Sequence, residues 1–141
     1  MPNTTRAPAV RDLAGWMSLA FRMTHEISEA ALDLEQSPAL APHCFYGTQV
    51  SDAGVSALAH FAAAYATYSD YVSRMEAARS LAGARVCLSS LKRLLARVER
   101  FGYIEPERAA TLHQKIDEAC AVLMALGVEL RGGSHRMRRA G

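Results

Sequence analysis

Residues 74–102 read RMEAARSLAGARVCLSSLKRLLARVERFG, and this stretch decides the fold. Projected at about 100° per residue, Leu81, Ala84, Leu88, Leu91, Leu95 and Val98 share one face. Arg74, Arg79, Arg85, Lys92, Arg93, Arg97 and Arg100 occupy the other, against two acids, Glu76 and Glu99. A helix with so long an apolar stripe has to bury it against another element. No other segment of similar length is so basic, so function is sought here first.

Upstream, Asp12 is placed to cap a helix running to about Leu34. Its stripe is Leu13, Trp16, Met17, Ala20, Met23, Ile27, Ala31 and Leu34, spaced by three and four. Pro38 and Pro42 break that helix and make the first loop. A second helix is expected from about Phe45 to Ser69, with Val55, Leu58, Ala62 and Tyr65 as its stripe. Its many alanines permit close helix approach. Ser69-Asp70 then turns the chain, and either residue can cap the third helix.

Downstream, Gly102 follows Phe101, where a residue with positive φ commonly closes a helix, and Tyr103-Ile104 folds back onto the core. Glu105-Pro106-Glu107 is a good helix start: proline needs no N–H partner there and the carboxylates suit the dipole. Ala109, Leu112, Ile116, Ala119, Leu123, Leu126 and Leu130 give the fourth helix its stripe, and Gly132-Gly133 ends it. The expected architecture is all-α, an antiparallel up-down-up-down four-helix bundle over residues 11–131. A mobile arm at 1–10 and a disordered basic tail at 132–141 flank it.

With 141 residues, half of them apolar and 21% charged, the chain has the size and composition of one globular domain. The net charge of +2 is unevenly spread. Arg131, Arg136, Arg138 and Arg139 crowd the last eleven residues without an acid. Outside that tail and the 74–102 stretch, the remaining residues sum to −7. Such separation points to an anionic partner on one face, although a merely solvated helix face would give the same pattern. Fourteen of the sixteen Lys and Arg residues are Arg. That suits bidentate phosphate contact, and a GC-rich genome would give the same bias.

Cys44, Cys87 and Cys120 form no C-x-x-C and leave an odd count, which fits reduced thiols inside a cell. The first residues lack the apolar core of a signal peptide, and no uninterrupted apolar run reaches about 18 residues. A cytoplasmic location without membrane attachment is expected.

Leu13 and Trp16, then Tyr46-Gly47, Gln49, Ala53 and Ser56, then Ala84, Leu88 and Leu91, and finally Gly102-Tyr103-Ile104 occur in one register. Together they resemble the four-helix-bundle family of the 23S rRNA intervening-sequence proteins, over about residues 12–130. The polar segment of that branch after the helix-two serine is replaced by His60-Phe61-Ala62-Ala63-Ala64, and its helix-three glutamate by Ser90. Leu88 to Arg97 is more similar to the basic helix three of the sister branch, the accessory variability determinants of diversity-generating retroelements. Ile116-Asp117-Glu118 is similar to its fourth helix, whereas the Gly-Gly-Trp usual near that helix's end is missing. The resemblance implies a ring-shaped homopentamer with a basic surface that binds nucleic acid and a reverse transcriptase.

His25, His43, His60, His113 and His135 are scattered, with no H-E-x-x-H or E-x-x-H, so neither metal nor cofactor is expected. His113 and Asp117, one turn apart, read as a surface contact. Gly54-Val55-Ser56-Ala57-Leu58 lacks the second glycine of a nucleophile elbow, and Ser56 reads as a small residue at a tight helix contact. Phosphate-loop and dinucleotide fingerprints are absent. A non-enzymatic protein follows.

Few aromatics interleave the basic face, so contact with backbone and shape is expected rather than base stacking. Trp16, Phe21, Phe45, Phe61, Tyr65, Tyr68 and Tyr71 read mostly as core, some of them available as subunit anchors. The expected activity is binding of RNA or DNA through Arg74, Arg79, Arg85, Lys92, Arg93, Arg97 and Arg100 in support of a reverse transcriptase. The alternative is an oligomeric scaffold of the intervening-sequence type whose ring binds a protein.

Overall fold

Apolar period and short breaker-rich connections dictate four helices, and the computed structural model has four α-helices among its described residues: α1 (Leu13–Glu35), α2 (Cys44–Thr67), α3 (Arg74–Arg100) and α4 (Pro106–Ala140). The structure describes residues 12–140, with side chains as far as Gly132. The arm at 1–10 and the side chains of the basic tail beyond Gly132 lie outside the described residues. No strand occurs among the described residues.

Each helix packs on its neighbours in sequence, and α4 returns to α1, closing the bundle. Successive helices run antiparallel. Ala31 and Ser28 of α1 meet Gly54 of α2, and Gly83 of α3 meets His60 of α2. Lys92 of α3 pairs with Asp117 of α4.

The stripes expected for α3 and α4 are buried in full, and α1 buries all of its own except the half-buried Trp16 and Met23. α2 differs. Its buried residues are Gly47, Val50, Ser51, Gly54, Ala57, Phe61 and Ala64, whereas Val55, Ala62 and Tyr65 are exposed and Leu58 is half-buried. Alanine on every side leaves α2 without a decisive apolar period. What selects its inner face is size, because small residues let α1 come close. The tight contact is at Gly54 and not at Ser56, which is exposed.

The helix ends also depart from expectation in part. Asp12 precedes α1 without a side-chain cap bond. Asp70 caps a 3₁₀ turn, Tyr71–Ser73, rather than α3 itself, accepting from the Val72 N–H at 3.2 Å and the Ser73 hydroxyl at 3.1 Å. At the far end of α3, Gly102 has φ of 78°. The Tyr103 N–H donates to Val98 O and the Gly102 N–H to Glu99 O, both at 2.9 Å, the paired bonds of a Schellman closure. α4 runs on through Gly132-Gly133 to Ala140. A glycine stops a helix where it turns left-handed; Gly132 does not, so the helix there only loses about 1 kcal/mol relative to alanine.

Candidate nucleic-acid interface

Helix geometry splits the seven cations of α3. Arg79, Arg93, Arg97 and Arg100 are exposed, and at about 100° per residue they fall within about 60° of one another. The exposed Val86 lies among them. Arg74, Arg85 and Lys92 are half-buried on a flank of the helix. One face in the sequence is therefore an outer stripe and an edge in the structure.

Their electrostatic partners differ as well. Lys92 Nζ lies 2.6 Å from Asp117 Oδ1, tying α3 to α4. Asp117 thus faces Lys92, and the surface contact expected between it and His113 is not formed. The Arg74 guanidinium sits 5.9 Å from the centroid of the Tyr71 ring, within cation–π range. Arg93 donates to the Ser90 hydroxyl at 3.3 Å. Among the described residues, none of the six arginines of α3 has a carboxylate within ion-pair distance.

Beside the stripe, α3 and α4 leave an open groove of about 630 Å³ lined by Arg85, Val86, Ser89, Arg93, Cys120, Ala121 and Met124. Val86 is 65% exposed and Met124 56%, so the groove is apolar with arginines along it. Cys120 reports its electrostatics. Burial pushes its thiol up from the ordinary value, Asp117 adds to the rise, and Arg85 and Lys92 oppose it. Burial alone raises Cys87.

The largest departure from the sequence reading lies where the α1–α2 and α3–α4 connections meet. His43 stacks on Tyr103 with centroids 3.7 Å apart and planes at 14°. Phe101 lies 5.6 Å from both Tyr46 and Tyr103, and Phe45 meets Tyr46 edge-on at 5.4 Å. Phe45 is 66% exposed and Phe101 49%. Phe101 continues α3 directly beyond the outer stripe, since Arg100 precedes it and Arg97 stands one turn before it. Phe21, Phe61 and Tyr65 form another group on α1 and α2, joined by a Ser18–Tyr65 hydroxyl contact of 3.3 Å. Of the aromatics expected as core, Phe61 alone is fully buried.

Among the described residues, no three His, Cys, Asp or Glu side chains are grouped to hold a metal. No described helix is long and apolar enough to cross a membrane. Comparison with known proteins gives no matching family model, curated protein or solved structure.

Proposed function

We propose that this protein is a non-enzymatic accessory protein that binds RNA or DNA through the outer arginines of α3. In this reading it assists a reverse transcriptase and acts as a ring-shaped homopentamer in the cytoplasm, as the resemblance to the retroelement variability determinants implies. The observation that carries it is the uncompensated charge of α3. Six arginines lie along one helix without a carboxylate partner among the described residues, while Lys92 alone is paired. Arg79 to Arg100 extends about 30 Å along the axis. That length matches about nine phosphates of one strand in a duplex. Parallel N–H groups on each guanidinium suit phosphate oxygens, and the charge is delocalised enough to desolvate at modest cost.

Fluorescence anisotropy against salt tests this. Replacing Arg79, Arg93, Arg97 and Arg100 with glutamine should abolish binding near physiological salt and lower the log–log salt slope by about 3 to 4, close to one per lost phosphate contact. Helicity should not change, because all four side chains are exposed. Equal binding by the variant sinks the proposal. A reverse-transcriptase gene beside a paired template and variable repeat would support the retroelement role. Native mass spectrometry decides the assembly, and a clean monomer at micromolar concentration removes the pentamer.

A second reading, a scaffold ring that binds a protein, is favoured by the apolar α3–α4 groove with exposed Val86 and Met124.

A further inference from the structure

We infer that the aromatic end of the bundle is a stacking platform for unpaired nucleobases, so that the protein selects single-stranded over duplex nucleic acid. The inference rests on the reading that the α3 arginines hold the backbone, and it adds what the neighbouring rings do. Phe45, at 66% exposure, and Phe101, at 49%, are large apolar faces turned to solvent. They are held in place from below. Tyr46 contacts both, and Tyr103 contacts Tyr46 and Phe101 while stacking on His43. Rings fixed by one another give up little freedom when a base covers them, which is what a platform requires.

Charge around the rings fits one occupant. Arg100 adjoins Phe101, and Arg97 lies four residues, about 6 Å, back along the axis. A base stacked on Phe101 can therefore keep its phosphate beside a guanidinium. Of the nearby acids, Glu99 is half-buried and lies about 160° around α3 from Phe101. Glu105 and Glu107 line a depression between α1 and α4 with Arg108 and Lys115, and Glu35 accepts a hydrogen bond from Ser51. A duplex hides its base faces inside the stack and could use the arginines but not the rings. An unpaired strand uses both.

Anisotropy with a labelled oligo-dT and with a duplex of equal length separates the two contributions. The variants are Phe45→Leu with Phe101→Leu, which keeps apolar bulk, the same pair to alanine, and the four-arginine glutamine variant. The wild type should prefer oligo-dT. Both phenylalanine variants should bind it at least about tenfold more weakly, with duplex affinity and salt slope unchanged. The arginine variant should lose both ligands.

If the leucine variant binds oligo-dT like the wild type, the platform is overturned and the backbone reading survives. If the arginine variant binds both ligands normally, the backbone reading falls, and the platform with it. Equal loss of duplex and single strand in the leucine variant also overturns the platform. So does a change of its oligomeric state, which would make the rings a subunit contact.

Discussion

The α1–α2 seam closes on small residues, whereas the α3–α4 seam leaves an open groove along its outer edge. A Cβ at Gly54 would come within 2.8 Å of the Ala31 side chain and 3.3 Å of the Ser28 backbone, and one at Gly47 within 3.3 Å of Glu35. Helices that approach so closely leave no room for a ligand, and their polar groups must bond inside the seam. Ser51 does so with Glu35, and Thr24 with the Ala20 carbonyl at 2.8 Å. Across the bundle, a Cβ at Gly127 of α4 would meet nothing within 4 Å. A small, partly open pocket of about 40 Å³ lies beside it, lined by Leu81 and Leu123 and, toward the surface, by Met124, Val128 and Arg131. The groove beside the α3–α4 seam exposes methionine, valine and arginine outside the buried stripes.

Glycine substitutions test that contrast most directly. Gly54→Val should destabilise by about 3 kcal/mol in urea unfolding, because helix backbones rather than flexible side chains must move. Gly127→Ala should stabilise by about 1 kcal/mol, since it gains helix propensity without a clash. If both substitutions destabilise alike, the seams are not different and the contrast is broken.

Smaller effects sharpen it. Lys92→Ala removes the ion pair between α3 and α4, whose partners are a half-buried lysine and an exposed aspartate, so a loss below about 1 kcal/mol is expected, shrinking further in high salt. The thiols give a pH signature. Burial raises Cys120 above the ordinary value of 9.0, so the folded chain holds that proton more tightly than the unfolded one. The stability it contributes is complete below about pH 9 and is lost as pH rises through the folded value. The unfolding midpoint of wild type should therefore fall relative to Cys120→Ala only in alkali. The smallest expected effect is a slower alkylation of Cys120 in Arg85→Gln, because Arg85 favours the thiolate; an unchanged rate would mean that Arg85 does not act on that thiol.

Legibility in the sequence followed the strength of each physical signal. In α3, leucine and arginine alternate at helical period, so its inner face was evident from Leu81 to Val98. α2 offered alanine all round, and its inner face depended on which positions were small enough for α1 to touch, a property of the pair and not of either helix alone. The cations were visible as cations, but the partner of Lys92 is on α4, and periodicity carries no information across helices. Phe45 and Phe101 are 56 residues apart, and only the bundle's topology sets their loops at the same end. The expectation of an aromatic-poor basic face came from reading α3 in isolation.

Gly102 governs more than the end of a helix. Its left-handed backbone turns Tyr103 back beneath Phe101, so the arrangement of the rings is a matter of conformational population as well as of composition. An L-residue there would disfavour that backbone by about 1 kcal/mol and let the junction sample other closures. Apparent affinity would then scale with the fraction of molecules holding the rings together, with no contact to ligand changed. Binding strength can in this way be adjusted at a residue that has no side chain to bind with.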